Sequence, residues 1–223
     1  MSEGTGYFIA GTDTDVGKTR VSILLMRQLA AAGIAVQGMK PVASGCERSD
    51  DGLTNADAVA LREASAHPLD YADHNPYHFE PSIAPHLAAA DLGVSISPQR
   101  ILLAYQRLAI TGPVIVEGVG GWKVPLAEGF SVSDLARLIG LPVILVVGVR
   151  LGCLNHARLT AESIRADQIN IAGWVANRLE FDCERQDDLV ETLKGCLDMP
   201  YLGAVEYQTV DEFEHSTGSF SVS

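Results

Sequence analysis

The stretch that decides the fold is YFIAGTDTDVGKTR, residues 7–20. Residues 7–10 form a short apolar run that ends at a glycine, which is typical of a buried strand, and from Lys18 to Ala32 apolar side chains recur at helical spacing. The loop between them closes with Gly17-Lys18-Thr19. Glycine lets backbone N–H groups converge on phosphate oxygens, and the helix start adds a favourable dipole. The stretch therefore predicts a phosphate loop between a strand and a helix.

This loop is unusual in length and charge. Five residues separate Gly11 from Gly17, where the usual loop has four, and two of them are Asp13 and Asp15. A carboxylate beside a polyphosphate is repelled unless a metal ion or a cationic substrate offsets its charge. The loop thus predicts a metal or an amine nearby, with Lys18 reaching the outer phosphates and the Thr19 hydroxyl binding Mg²⁺. The plain alternative is a helix start without a ligand.

Composition narrows the class of protein. The chain has 223 residues, a length that fits one domain, with 47% hydrophobic residues and a formal net charge of -12. That charge disfavours a general nucleic-acid or anionic-membrane surface. The four cysteines form no CxxC pair, no signal peptide is recognisable, and the longest apolar run, residues 141–149, is too short to span a bilayer. We expect reduced thiols and a cytoplasmic location.

Strands and helices alternate along the chain. The run 142–149 is apolar without alternation, as expected for a central strand covered on both faces. We interpret residues 1–223 as a single α/β domain with the three-layer P-loop NTPase fold, with a mainly parallel central sheet and helices on both faces. The tail after about residue 206 is a candidate for disorder. The predicted strands are 7–10, 35–39, 113–116, 142–149, 169–176 and 201–204, and the predicted helices are 18–32, 55–66, 85–91, 98–110, 133–139, 154–167 and 184–197.

Charged residues follow two of the predicted strands. The carboxyl ends of parallel strands lie on one edge of the sheet, so we expect Lys40, after strand 35–39, on the same rim as Lys18. Glu117 follows strand 113–116 and could hold Mg²⁺ directly or through water. Asp57 is a weaker metal candidate, because an acidic residue in the first turn of a helix is favoured by the helix dipole alone. A solvated lysine is likewise the alternative for Lys40.

Two further stretches are candidates for ligand contact. Gly152 precedes helix 154–167, which makes a second potential anion site or an ordinary helix cap. Asn177 ends strand 169–176, where its amide would suit an adenine edge or could cap a turn. Spacing alone does not separate these alternatives.

Taken together, seven stretches resemble the dethiobiotin synthetase family. They are GTDTDVGKT, KPVASG, NADAVAL, APHLAA, VEGVGGW, LPVILVVGVRLGCLNH and GWVAN, in this order between residues 11 and 177. The resemblance implies ATP- and Mg²⁺-dependent carboxylation of 7,8-diaminopelargonate with CO₂ and ring closure to dethiobiotin, with release of ADP and phosphate. It also implies a homodimer whose substrate site lies at the subunit interface.

The resemblance assigns roles to individual residues. Lys18, Lys40 and Asp15 are the implied catalytic residues: Lys18 bridges carbamate and γ-phosphate, Lys40 holds the carbamate oxygens, and Asp15 orients the amines. The implied substrate contacts are Thr14, Ser44, Lys40, Pro85, Gly152 and Asn155. The implied nucleotide contacts are Asp13, Thr14, Asp15, Val16, Gly17, Lys18, Thr19, Glu117, Gly120, Asn177 and Val205. The implied Mg²⁺ ligands are Thr19, Asp57 and Glu117.

The chain departs from the family pattern at three places. Asp15 stands where the family usually has Glu, and Ala84-Pro85-His86 replaces Ser-Pro-His, so one hydroxyl contact is absent. The Gly-x-Ile-Pro turn that borders the base is Gly203-Ala204-Val205-Glu206 here. Without that proline we expect other nucleoside triphosphates to be accepted alongside ATP.

Two other classes of protein share the phosphate loop. A switch ATPase of the partition or septum-positioning type usually carries an extra lysine early in the loop, where this chain has Gly11-Thr12-Asp13. An amidase-type synthetase of cofactor assembly needs a glutaminase domain and a Cys/His pair, for which this chain lacks room. The switch ATPase is the main alternative.

Overall fold

A computed structural model describes residues 5–49, 52–180, 184–208 and 213. The strands within these residues are β1 Gly6–Gly11, β2 Gln37–Met39, β3 Val42–Ala43, β4 Glu47–Ser49, β5 Gly52–Thr54, β6 Tyr77–His78, β7 Val114–Glu117, β8 Pro125–Ala127, β9 Phe130–Ser131, β10 Val143–Val149, β11 Ile171–Arg178 and β12 Tyr201–Val205. The helices are α1 Lys18–Ala31, α2 Ala56–Glu63, α3 Tyr71–His74, α4 Pro85–Asp91, α5 Pro98–Ala109, α6 Val132–Ile139, α7 Cys153–Ala166 and α8 Gln186–Cys196.

The main sheet of the described residues has six parallel strands in the order β12-β11-β10-β1-β7-β2. Neighbouring side chains of β1 point to opposite faces: Phe8 joins the core beneath α5, α6, α7 and α8, and Ile9 joins the core beneath α1 and α2. The sheet is therefore covered by helices on both faces. The predicted α/β fold with a mainly parallel sheet is confirmed.

Every predicted helix and strand is present, with ends within three residues of those expected. The strand order adds one fact: β1 does not pair with β2, because β7 lies between them, with Gly6 and Gln37 both opposite Val114. The carboxyl ends of β1, β7 and β2 consequently lie in a row. They carry the phosphate loop, Glu117 and Lys40.

The segment between β2 and α5 contains several short elements that periodicity does not predict. Antiparallel β4 and β5 form a hairpin, β3 pairs with β6 in parallel, and the one-turn helix α3 lies against the end of β2. Strands of two or three residues and a four-residue helix are too short for a periodic pattern. The tail prediction concerns mainly residues 209–212 and 214–223, which lie outside the described residues.

None of the helices in the described part of the chain is both long and apolar enough to cross a membrane.

Candidate active site

The phosphate loop rests on the end of β11. Gly17 has a left-handed backbone (φ 82°), and a Cβ at this position would lie 2.0 Å from Nδ2 of Asn177. That same nitrogen donates a hydrogen bond to the carbonyl oxygen of Val16 (2.9 Å). Oδ1 of Asn177 is buried and has no hydrogen-bond partner among the described residues. Asn177 thus supports the loop from below and leaves one acceptor for a ligand.

Asp13 organises the loop from within. Its Oδ1 accepts from the backbone N–H of Thr14 (2.8 Å), its Oδ2 pairs with Nη2 of Arg150 (2.9 Å), and its carbonyl oxygen accepts from Nζ of Lys18 (2.9 Å). The negative charge at Asp13 is therefore matched by a cation that follows β10. Sequence reasoning missed Arg150, which lies 137 residues further along the chain.

Asp15 has different surroundings. It is exposed, it lines the cavity described below, and its backbone is left-handed (φ 56°), which costs about 1 kcal/mol for a residue other than glycine. The extra residue of the loop thus places one carboxylate in the cavity. Backbone strain is concentrated at functional sites, so strain at a residue that lines the cavity marks Asp15 as a functional candidate.

Lys40 lies between two carboxylates. Its Nζ donates to Oε1 of Glu117 (2.9 Å) and to Oδ2 of Asp57, and the Thr19 hydroxyl donates to the same Glu117 oxygen (2.9 Å). Lys40 and Glu117 are buried, with 7% and 1% of their surface exposed. A buried charge is tolerated only when it is paired, so these residues form one electrostatic unit.

The two lysines differ in proton affinity. Burial lowers the pKa of Lys18, and the positive charge of Lys40 lowers it further, against the opposing effect of Glu117. Burial would also lower the pKa of Lys40, but the charges and hydrogen bonds of Glu117 and Asp57 outweigh it, so the pKa of Lys40 is raised. Lys40 is therefore held as a cation.

These groups line one cavity of about 530 Å³ above the carboxyl ends of β1, β7 and β2. Sequence reasoning had singled out Thr14, Asp15, Gly17, Lys18, Thr19, Lys40, Ser44, Asp57, Glu117 and Gly120, all of which line it. It had missed Arg20, Asn55, Ser82 and Val119. Arg20 could have been found from its place in the first turn of α1, whereas Ser82 lies in an irregular loop without a sequence signal.

The loop after Glu117, residues 118–124, is tied to the far end of α7. Oδ2 of Asp167 accepts from Nε1 of Trp122 (2.7 Å) and from Nζ of Lys123 (2.6 Å), and Oδ1 accepts from Nη2 of Arg137 (3.2 Å). Burial tends to raise the pKa of Asp167, but the bonds from Lys123 and Trp122 and the nearby positive charges outweigh it and lower that pKa. Asp167 therefore fixes the loop that carries Gly120 into the cavity.

Comparison with known proteins decides the family. A family model described as an AAA domain matches residues 5–212. Over 203 residues the chain is 47% identical to the ATP-dependent dethiobiotin synthetase BioD of Xanthomonas oryzae pv. oryzae (strain PXO99A), covering 91% of each chain. Over 201 residues it is 48% identical to the protein of the same name from Pseudomonas paraeruginosa (strain DSM 24068 / PA7), covering 89% of this chain and 88% of that one. The chain belongs to the dethiobiotin synthetase family.

A solved structure supports the fold alone. The ParA family ATPase from Chlorobium tepidum TLS superposes with a TM-score of 0.55, at 15% identity, over 96% of this chain and 88% of that one. This member of the dethiobiotin synthetase family thus shares its fold with that ATPase. At such low identity the likeness carries no function.

Seven of the residues that the family resemblance singled out do not line the cavity in the single chain. Asp13, Val16 and Asn177 belong to the phosphate loop and its support, and the other four lie elsewhere. Asn155, on the first turn of α7, is exposed and lines a separate cavity of about 430 Å³, and Gly152 precedes the same helix. Pro85 is buried at the first position of α4. The side chain of Val205 is buried in the core, where β12 pairs with Asn177 of β11.

The oxygen atoms of Thr19, Asp57 and Glu117 suit a hard cation such as Mg²⁺. Oε2 of Glu117 is buried and has no hydrogen-bond partner among the described residues, so it is an available acceptor. The part of the chain that the structure describes contains no group of three or more His, Cys, Asp or Glu side chains arranged for a metal. Because Mg²⁺ usually binds through one or two carboxylates, several waters and substrate phosphates, the donor set fits.

Proposed function

We propose that this protein is a dethiobiotin synthetase, which uses ATP to join CO₂ to 7,8-diaminopelargonate and close the cyclic urea. The observation that carries the proposal is the ion-paired group of buried Lys40, buried Glu117 and half-exposed Asp57 beside Lys18 and the phosphate loop. Within this group, Lys40 supplies a fixed positive charge next to a phosphate site, as an anionic carbamate would require. The family membership of the chain supports the same reaction.

In the first step, an amine nitrogen of the diamine attacks the carbon of CO₂. A C–N bond forms, the amine nitrogen releases a proton to solvent, and the resulting carbamate carries the negative charge. Lys40 remains protonated because Glu117 and Asp57 raise its pKa, and it would hold the carbamate oxygens. Thr14 and Ser44, on the cavity wall, would donate hydrogen bonds to the diamine or carbamate.

In the second step, a carbamate oxygen attacks the γ-phosphorus of ATP. ADP leaves, and a carbamic–phosphoric mixed anhydride forms. Lys18 would bridge the carbamate and the γ-phosphate, since it lines the same cavity as Lys40 at the start of α1. The second amine then attacks the carbonyl carbon of the mixed anhydride, phosphate leaves and the amine loses a proton. Asp15 would hold the amines, since its carboxylate is exposed to the cavity.

Thr19, Asp57 and Glu117 would hold Mg²⁺, which when bound neutralises charge on the phosphates. Asn177, with its free Oδ1, would accept from the amino group of adenine. The turn after β12 would border the base. In place of proline it has Glu206, whose carboxylate pairs with Nε of Arg178 (3.1 Å) and whose carbonyl oxygen accepts from Arg20 (2.9 Å). We expect ATP to be used, with other nucleoside triphosphates accepted alongside it.

We further propose a homodimer in which Asn155 and the helix start at Gly152 serve the partner's site and bind the substrate carboxylate. Asn155 is exposed on α7 and lies outside the cavity of its own chain, which is consistent with a role across an interface. A strictly monomeric protein with full activity would contradict this shared site.

The reaction is tested by mixing the protein with 7,8-diaminopelargonate, bicarbonate, Mg²⁺ and ATP. We expect phosphate release that depends on the diamine, together with dethiobiotin detected by mass spectrometry. A switch ATPase would release phosphate at the same rate with and without the diamine, and that result would overturn the proposed function.

Lys40→Gln tests the role of the buried cation. We expect turnover to fall about 100-fold or more, because the carbamate loses its fixed positive charge, whereas ATP affinity changes little. Lys194→Gln is the matched control, since Lys194 is a lysine on α8 that pairs with Glu191 at the surface. A Lys40→Gln loss confined to ATP affinity would refute the assigned role.

A further inference from the structure

The main chain at Lys40 is held on both sides by residues of α3 and the residue that follows it. The backbone N–H of Lys40 donates to the carbonyl oxygen of His74 (2.8 Å), and Nδ2 of Asn75 donates to the carbonyl oxygen of Lys40 (2.5 Å). His74 and Asn75 are completely buried. The peptide that carries Lys40 is therefore fixed by a segment that lies outside the main sheet.

Asn75 has a fully determined orientation. Its Nδ2 donates a second hydrogen bond to the carbonyl oxygen of Tyr77 (3.2 Å), and its Oδ1 accepts from the hydroxyl of Tyr71 (2.9 Å). Both amide hydrogens and the amide oxygen are thus engaged. A buried amide with all its groups satisfied specifies one arrangement of its neighbours.

The Tyr71 hydroxyl continues the chain of bonds to α2. It accepts from the backbone N–H of Asn55 (2.8 Å), and Asn55 caps α2 by accepting from the N–H of Ala58 (3.2 Å). Asp57 lies two residues after Asn55 and binds Nζ of Lys40. The hydrogen bonds and the ion pair therefore close a ring that runs Lys40, Asn75, Tyr71, Asn55 and Asp57 and returns to Lys40.

We infer that Tyr71 and Asn75 are positioning residues, which set where the Lys40 ammonium and the Asp57 carboxylate stand in the cavity. An ion pair between two flexible side chains specifies position poorly on its own, because each side chain can follow the other. The ring removes that freedom, since it fixes the main chain at Lys40 and the start of α2 relative to one another. The inference rests on the proposed function, in which Lys40 holds the carbamate.

Two tyrosines provide a matched test. Tyr71→Phe removes the hydroxyl group that belongs to this ring of hydrogen-bonded residues, and it leaves the Asn55 N–H without its acceptor. Tyr77→Phe also removes a hydroxyl that accepts one backbone N–H, that of Ser97 (2.8 Å), at the start of α5 and outside the ring. Both variants leave one backbone N–H without its acceptor, and Tyr71→Phe also leaves Oδ1 of Asn75 without its donor. The melting temperature of each variant is therefore measured beside its kinetics, so that a loss of catalysis is separated from a loss of stability.

We expect Tyr71→Phe to lower the kcat of diamine-dependent phosphate release about tenfold, with the KM for ATP unchanged, because small displacements of a reacting group have large kinetic effects. Tyr77→Phe should keep kcat close to that of the unaltered protein. Asn75→Asp is the second variant: it retains the acceptor for Tyr71 but directs an oxygen at the carbonyls of Lys40 and Tyr77, and it should lower kcat further.

The inference is overturned if Tyr71→Phe and Tyr77→Phe lower kcat equally, if the loss follows the melting temperature, or if it lies in the KM for ATP. Should Asn75→Asp fail to fold, the tyrosine pair decides alone. If the unaltered protein shows no diamine-dependent phosphate release, the proposed function fails and the inference with it. An active unaltered protein with two equivalent tyrosine variants overturns the inference alone.

Discussion

The starts of α1 and α7 are alike in local structure and different in what surrounds them. Each helix has 14 residues, follows a central strand of the sheet, and begins after a left-handed glycine, Gly17 (φ 82°) or Gly152 (φ 93°). Neither is capped by a side chain of the described residues. Both therefore present the positive end of a helix dipole, although at α7 the N–H of Cys153 donates to the carbonyl oxygen of Arg150 (3.0 Å).

The two helix starts differ in how closely other parts of the chain pack around them. At Gly17 a Cβ would meet Asn177 at 2.0 Å, and at Gly152 no described atom lies within 4 Å of such a Cβ. Val16, which precedes Gly17, is buried, whereas Leu151, which precedes Gly152, is 95% exposed. The comparison teaches that a helix start becomes a site when the rest of the fold encloses it. The start of α7 is open in the single chain, which agrees with the proposed interface.

Paired glycine substitutions probe this difference directly and should give the largest effect. Gly17→Ala should lower turnover at least about 100-fold, because the new methyl group would displace Asn177 and the loop that it supports. Gly152→Ala should cost only about 1 kcal/mol of backbone strain and leave ATP affinity nearly unchanged. Calorimetric titration with a non-hydrolysable ATP analogue measures ATP affinity, which Gly17→Ala should also lower, and diamine-dependent phosphate release measures turnover. Equal ATP affinities for the two variants would break the comparison.

Asp167→Asn tests whether the loop at residues 118–124, which carries Gly120 into the cavity at the start of α1, needs its anchor on Asp167. The variant should lower the free energy of unfolding by about 1 kcal/mol and reduce turnover severalfold, because Trp122 and Lys123 lose a charged acceptor. Asp188→Asn is the control, since Asp188 pairs with Arg185 at the surface. A control variant with the same loss of turnover would show that the loop at Trp122 needs no such anchor.

The effect of Asp167 should depend on pH in a stated direction. Its pKa is lowered in the folded protein, so its stabilising contribution is present above the ordinary aspartate pKa of about 4 and is lost as the pH falls through the folded value. Denaturant unfolding at several pH values should therefore show the difference between the unaltered protein and Asp167→Asn shrinking in acid. A difference that grows in acid would contradict this assignment.

Arg150→Gln should give the smallest effect, although Arg150 connects the two helix starts. Its ion pair with Asp13 is half exposed, with 40% and 47% of the side chains accessible, so solvent screens it. We expect a change in ATP affinity of less than about 1 kcal/mol, which corresponds to less than about fivefold. Fluorescence titration with a labelled nucleotide measures this change. A larger loss would mean that the two helix starts are coupled through this pair.

Much of this arrangement is predictable from the sequence, for physical reasons that differ between elements. Helix α1 and strand β10 have long periodic or continuous apolar patterns, and the placement of Lys40 and Glu117 on the rim follows from parallel strands having common ends. The insertion of β7 between β1 and β2 is not predictable, because pairing between distant strands leaves no local pattern. The same holds for Arg150 at Asp13 and for Tyr71 at Asn55, where the residue types are ordinary and only the fold brings them together.

Asp57 shows how spacing can undervalue a residue. In the sequence it is a first-turn acidic residue, which the helix dipole alone would favour. In the structure Asp57 and Glu117 both form ion pairs with Lys40. The sequence could not show this arrangement, because the three residues belong to separate elements. Conversely, Val205 matches the family turn by position, yet its side chain is buried in the core.

The position of β1 in the sheet has a consequence for how the protein is made. Of the six strands of the main sheet β1 is synthesised first, but its two neighbours are β7, from residue 114, and β10, from residue 143. Asn177, which supports the loop, emerges later still. A nascent chain must therefore keep an apolar strand and α1 from misassociating until most of the polypeptide has been synthesised, and such distant pairings fold slowly. The support of the phosphate loop is therefore complete only after β11 has joined the sheet.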